Sequence, residues 1–132
     1  MAHFELRTLV RAPIERVFDL ARDIDFHQRS MEDSGERAVG GKTTGLIEMD
    51  EEVEWEARHF GITMRLRSRI TFMDPPHVFV DEQVSGPFTK FVHRHEFQKT
   101  GSNTIMRDDW THTAPLGFIV DPIFLARYMK RL

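Results

Sequence analysis

Phe88-Thr89-Lys90-Phe91-Val92-His93-Arg94-His95-Glu96-Phe97 alternates along its length. Phe91, His93, His95 and Phe97 fall on one face of a strand, and Val92, Arg94 and Glu96 on the other, because successive strand side chains point to opposite faces. A face that mixes phenylalanines with two imidazoles suits the wall of a ligand cavity better than a plain core, since pockets are mostly apolar with a few placed polar groups. Thr100-Gly101-Ser102-Asn103 turns the chain into a second arm over 104–113, where Met106, Asp108, Trp110 and His112 share a face. With Phe97 and Met106 inward as neighbours, the antiparallel register sets His95 opposite Asp108, His93 opposite Trp110 and Phe91 opposite His112, close enough for the side chains to interact.

The same period of two runs upstream. Val53, Trp55, Ala57 and His59 share a face, opposed by Glu52, Glu54, Glu56 and Arg58. After a turn at Gly61, Ile62, Met64, Leu66, Ser68, Ile70 and Phe72 share a face, opposed by Arg65, Arg67 and Arg69. This predicts an antiparallel sheet with one buried side and one wet side, on which the glutamates and arginines pair. Residues 78–85 are a further strand of ambiguous facing: Val78, Val80, Glu82 and Val84 make one face, and Phe79, Asp81 and Gln83 the other.

Before the sheet, residues 3–11 alternate as a strand, and a weak strand lies near 36–39. Pro13 opens a helix over 13–22 with Ile14, Val17, Phe18 and Ala21 at i, i+3, i+4 and i+7. Asp25 is placed to cap a second short helix over 26–31 that buries Phe26 and Met31. After the sheet, Asp121-Pro122 starts a helix whose Leu125, Tyr128, Met129 and Leu132 make an apolar stripe of roughly three turns.

The chain of 132 residues fits one domain with one core, over residues 1–132. Its net charge of −3 offers no basic excess for phosphates, so nucleic acid is not an expected partner. The absence of cysteine excludes disulfides, zinc–cysteine sites and thiol catalysis. Neither a secretory leader nor an apolar run of membrane-spanning length is visible, and a cytoplasmic protein is the expectation.

Strand, two short helices, six or seven antiparallel strands and a C-terminal helix is an order that resembles the helix-grip fold of the START/Bet v 1-like (SRPBCC) superfamily. The local markers are Arg11-Ala12-Pro13-Ile14-Glu15-Arg16-Val17-Phe18, Val53-Glu54-Trp55, the run Phe79 to Phe88 leading into His93-Arg94-His95-Glu96-Phe97, and Ala114-Pro115-Leu116-Gly117. Together they resemble the bacterial polyketide cyclase/dehydrase-like branch. The resemblance implies an α+β fold in which a curved sheet wraps the C-terminal helix, with a cavity between them for lipids, polyketides or similar molecules. The C-terminal helix here is shorter than is usual in the family, which would leave one end of the groove open and raises the expectation of a homodimer.

The cavity so implied is lined by Trp55, Ala57, Met64, Leu66, Ile70, Phe91, His93, His95 and Trp110, with Phe124, Leu125 and Tyr128 from the C-terminal helix. His93, His95, Asp108 and His112 admit four readings. They form a satisfied polar cluster in a core, or orient an apolar ligand. In a third reading His95 and Asp108 act as a catalytic acid–base pair. In a fourth, His93 and His95 bind a metal with Asp108 or His112. The reading adopted is a carrier or sensor of a small hydrophobic molecule, without metal or other cofactor. A cyclase/dehydrase-type enzyme with His95 as base is the alternative, and a ligand-free protein-interaction module the second alternative.

Overall fold

The computed structural model describes residues 2–31, 35–59 and 61–113. Their order is β1 (Ala2–Val10), α1 (Ile14–Ala21), α2 (Ile24–Ser30), β2 (Arg37–Gly41), β3 (Glu52–His59), β4 (Ile62–Asp74), β5 (Val78–Ser85), β6 (Lys90–Thr100) and β7 (Asn103–Thr113). Among the described residues the seven strands make one sheet in the order β1-β7-β6-β5-β4-β3-β2, every neighbouring pair antiparallel. Strands β2 to β7 are a meander, and β1 closes the far edge against β7, with Ala2 opposite His112 and Val10 opposite Thr104. The fold is the expected α+β helix-grip. The C-terminal helix expected after Asp121, with Phe124, Leu125 and Tyr128, lies outside the described residues.

The helices connect opposite edges of the sheet. Ile14, Val17 and Phe18 bury the apolar stripe of α1. Phe18 meets Phe79 and Phe97 edge-on, with ring centroids 5.4 and 5.3 Å away. Helix α2 starts two residues earlier than the sequence suggests, because Asp23 and not Asp25 is its N-cap: the Asp23 carboxylate accepts from the Phe26 N–H at 3.0 Å. Asp25 instead ties down the following loop, accepting from the Thr44 hydroxyl at 2.7 Å and the Gly45 N–H at 2.9 Å. The shift makes Ile24 the buried residue of α2, and Phe26, expected inside, is 41% exposed.

On the wet face the expected charge ladder forms, with Arg67 on Glu52 at 2.6 Å and Arg65 and Arg37 on Glu56 at 2.9 and 3.0 Å. One expected facing is reversed. A bulge between Ile70 and Phe72 puts an extra residue, Thr71, into β4. Phe72 therefore turns out to 48% exposure, and Met73 packs on the core in its place.

The inner face holds two apolar clusters. One joins Ile14, Val17, Phe18 and Ile24 to Ile47, Val53, Ile70, Phe79 and Phe97. The other is made of Ala57, Leu66, Phe88, Phe91 and Trp110, with Phe4 and Met64 against it. Between Phe79 of the first and Trp110 of the second lies a belt of titratable side chains.

Candidate functional site: an acid–imidazole belt beside an apolar cleft

Strand β6 supplies two histidines to the belt because it alternates, and β7 and β5 supply one carboxylate each through register. The pairing of β6 with β7 is the one derived from alternation: Phe97 opposite Met106, His95 opposite Asp108, His93 opposite Trp110 and Phe91 opposite His112. On the other side β5 sets Phe79 opposite His95 and Asp81 opposite His93. This fixes the facing of 78–85, with Phe79 and Asp81 inward. The Gln83 side chain holds the turn between β5 and β6 by donating to the Phe88 carbonyl at 2.6 Å and accepting from the Phe88 N–H at 3.2 Å.

The four groups form a chain of contacts. Asp108 Oδ1 lies 2.9 Å from His93 Nε2 and 3.2 Å from His95 Nδ1. The other nitrogen of His95, Nε2, lies 2.7 Å from Asp81 Oδ2. The other nitrogen of His93, Nδ1, is buried with no hydrogen-bond partner and faces the same Asp81 oxygen from 3.9 Å. An ionised carboxylate only accepts, so His93 carries its proton on Nε2 and leaves a lone pair on Nδ1. The rings stack between aromatic walls: Phe79, His95, His93 and Trp110 follow one another at centroid separations of 4.0, 3.6 and 4.4 Å.

This arrangement drives the two imidazoles apart. Burial works against charge on His95, but its hydrogen bonds to Asp108 and Asp81 and the charges of both outweigh burial and raise it to about 9. For His93, burial and the adjacent His95 charge push downward and outweigh the two carboxylates. Burial would raise Asp108 and Asp81, yet their histidine contacts hold both below the usual carboxylate range. At neutral pH the belt therefore holds two carboxylates, one imidazolium and one neutral imidazole, leaving one uncompensated negative charge.

Two spaces flank the belt. The larger, about 380 Å³, opens between α1, α2 and the β1–β7–β6 side of the sheet. Its apolar walls include Val10, Val17, Leu20 and Met106, and Trp110, His93, His95 and Asp108 form its inner side. Leu6, Ala21, Phe26, His27, Ser30 and Met31 complete the lining, Leu6 and Phe26 being 37% and 41% exposed. The smaller, about 60 Å³, is bounded by His27, Trp55, Leu66, Ile70, Phe91, Asp81 and His95 among others.

The expected lining thus divides. His93, His95 and Trp110 face the larger space, and Trp55, Leu66, Ile70, Phe91 and again His95 face the smaller. Ala57 and Met64 belong to the second apolar cluster. His112 packs edge-on against Phe88 at 5.7 Å, and burial lowers it. Two residues of the belt's surroundings carry no clear signal in the sequence. Asp81 is hidden by the mixed facing of its strand, although the Ser85-Gly86-Pro87 turn, paired outward, would have brought it to His93. His27 stands on a short helix with nothing beside it to suggest a role, yet its ring lies 4.5 Å from Trp55 and its buried Nε2 has no partner. Burial lowers His27 to about 4, with the Asp81 charge opposing and the His95 and His93 charges adding.

Among the described residues, the ligand atoms of Asp81, His93 and His95 lie within 4.8 Å of one another, a set able to hold a metal ion. The fourth reading of the sequence, a metal site not adopted there, completes the two histidines with Asp108 or His112. Here Asp108 binds the far nitrogens of both rings, and Asp81 occupies the inner position.

A sheet with two helices after its first strand and a ligand-sized space against its inner face defines a START/Bet v 1-like helix-grip protein. Solved structures share that fold. The ginseng major latex-like protein 151 of Panax ginseng superposes with a TM-score of 0.69 at 13% identity, covering 98% of this chain and 91% of its own. A START superfamily protein of Mycobacterium smegmatis gives 0.72 at 11% identity, covering 98% and 90%. The protein TTHA0849 of Thermus thermophilus gives 0.70 at 18% identity, covering 98% and 82%. No curated protein matches the sequence. The family profile described as polyketide cyclase / dehydrase and lipid transport matches residues 1–132, and the chain belongs to that family.

Proposed function

We propose that the protein binds a small, largely apolar molecule, lipid-like or polyketide-like, in the 380 Å³ cleft. The observation that carries this reading is the composition of the cleft wall. It is apolar on the sides formed by α1, β1 and Met106, and polar where His93, His95 and Asp108 reach it and where α2 adds His27 and Ser30, the pattern of pockets that take affinity from burial and orientation from a few polar groups. Burying about 200 Å² of apolar ligand surface would contribute about 5 kcal/mol before the entropic costs of association. The family's description, which names lipid transport and polyketide chemistry, agrees with such a ligand.

Native mass spectrometry of the purified chain, against a denatured control, tests this directly. A labile organic adduct, or a rise in melting temperature with one class from a panel of fatty acids, sterols and aromatic polyketides, is the expected result. A panel that leaves the melting temperature unchanged throughout, with no adduct, would end this reading and favour a protein-interaction role.

A second reading rests on the divergent imidazoles. A belt with His95 held protonated and His93 held neutral contains an acid and a base for proton transfer at a carbonyl, as in aldol cyclisation or dehydration. In this reading His95 donates as acid, reversing the base role expected for it from sequence. His95→Ala would then abolish turnover of a bound polyketide while sparing binding; equal loss of both would remove the enzyme reading.

A further inference from the structure

We propose that Asp81, His93 and His95 form a binding site for a divalent first-row transition-metal ion, with Asp81 Oδ2, His93 Nδ1 and His95 Nε2 as ligand atoms. The first ground is the direction of the lone pairs. Asp108 Oδ1 takes a hydrogen bond from His93 Nε2 at 2.9 Å and sits 3.2 Å from His95 Nδ1. Asp108 thus fixes the tautomer of His93, and the remaining nitrogens, His93 Nδ1 and His95 Nε2, face a single carboxylate oxygen of Asp81, 3.9 and 2.7 Å away. In the metal-free chain a proton on His95 Nε2 bridges to that oxygen; a metal ion would displace this proton and meet both imidazole nitrogens and the carboxylate together. A carboxylate on the far nitrogen of a metal-binding histidine is the usual outer partner of such a ligand, and here one carboxylate serves two.

The second ground is the unpaired nitrogen. His93 is 2% exposed, and its Nδ1 is buried without a hydrogen bond. Leaving such an atom unsatisfied is destabilising, and a proton shared between His95 and Asp81 does nothing for it. A metal ion satisfies all three groups together. It also cancels the charge: a dication with Asp81 and Asp108 ionised and both rings neutral leaves the belt without net charge, which suits a buried position.

The geometry is near what an ion requires. One ligand atom from each of the three residues lies within 4.8 Å of the others, and the separations of 2.7 and 3.9 Å from Asp81 Oδ2 straddle the roughly 3.3 Å edge of a tetrahedron with 2.0–2.1 Å bonds. Two imidazoles and a carboxylate, with no thiolate in the chain, are the donors of zinc, iron(II), cobalt(II) and nickel(II) sites. Three protein ligands leave a position open, as in catalytic rather than structural sites. The 60 Å³ space bordered by Asp81, His95 and His27 has room for a water or a small oxygen ligand there. The site does not depend on the apolar cleft having a ligand.

The test uses the full chain, stripped with chelator and titrated with zinc by calorimetry and with cobalt(II) by visible absorption. The expected result is one ion per chain, with the intense cobalt bands of a low-coordinate site. Asp81→Asn and His93→Gln should weaken zinc binding by roughly 100-fold or more, and Asp108→Asn by about 10–100-fold, with far-UV circular dichroism unchanged. His3→Ala, at the exposed His3–Asp109 pair, should bind as wild type does. Should the belt variants not fold, imidazole resonances of the wild type decide: zinc is expected to move those of His93 and His95 and to leave those of His3 and His77. No uptake by wild type at roughly 100 µM zinc, uptake indifferent to Asp81→Asn, or shifts confined to surface histidines would overturn the proposal and leave a proton as the only cation of the belt.

Discussion

The rings of His93 and His95 lie 3.6 Å apart, two residues from each other on one strand face, and both have a nitrogen within 3.2 Å of Asp108 Oδ1. Asp108 is therefore the hinge of the belt. Its removal would take away one of the two carboxylates on the His95 imidazolium, leaving Asp81, and would leave His93 without its acceptor. Asp108→Ala is expected to lower the stability of the metal-free protein by about 1–3 kcal/mol, the cost of leaving the buried His93 N–H unsatisfied. Urea unfolding checks it, and a loss below about 1 kcal/mol would mean that water replaces the carboxylate.

In the chelator-treated protein, stability should depend on pH through His95. Its value is about 9 in the folded chain, against an ordinary value of 6.5. Because the folded value is the higher, its contribution is fully present below about pH 6.5 and is lost as pH rises through about 9. The loss should be on the order of 3 kcal/mol. Asp81 and Asp108 carry the opposite sign: their folded values are lowered, so their contribution is present above about pH 4 and lost as pH falls below it. Denaturant curves from pH 6 to 10 should show the alkaline loss in wild type and not in His95→Gln. Parallel curves for the two proteins would assign the loss to another group.

The two tryptophans should report separately on the two spaces. Trp110 borders the larger and Trp55 the smaller. An apolar ligand in the cleft is expected to change the emission of Trp55→Phe, which keeps Trp110, and to leave Trp110→Phe nearly silent. Leu20→Trp, on the helix wall, should reduce affinity by about tenfold or more by filling the cleft, with stability changed by less than about 1 kcal/mol. An unaltered affinity would place the ligand elsewhere.

Asp23 and Asp25 should separate by kind of effect. Asp23→Ala removes the α2 cap and is expected to cost about 1 kcal/mol of global stability. Asp25→Ala frees Thr44 and the Gly45 N–H, and should speed hydrogen exchange at Gly45 more than it lowers the melting temperature. Equal effects on both readouts would erase the distinction.

That pair of aspartates also shows where sequence reasoning reaches its limit. Either can cap a helix, and the choice depends on whether Ile24 or Phe26 is the residue to be buried, which the sheet decides. The β6–β7 hairpin is legible residue by residue because strict alternation and a four-residue turn leave a single register. Strand β5 is not, since Val78 and Val80 on one face compete with Phe79 on the other, and both ends of that choice are buried. Asp81 is lost with it. Thr71 gives no warning of its bulge, so Phe72 keeps the phase of Ile70 in any reading of the alternation. The family and fold, which rest on the order of elements, are readable from the chain; the inner carboxylate, which rests on one strand's phase, is not.

The belt and its container differ in how far apart along the chain their parts lie. His93 and Asp108 are 15 positions apart, and Asp81 and His95 are 14, each joined across adjacent strands. By contrast, β1 pairs only with the last described strand, and His3 meets Asp109 across 106 positions. Closing so long a loop is slow compared with zipping two hairpins, so the sheet is expected to complete itself last at β1. The polar groups would then be assembled early, while the cleft gains Leu6 and Val10 only at the final step. A chain still emerging from the ribosome would possess the chemistry before it possesses the vessel.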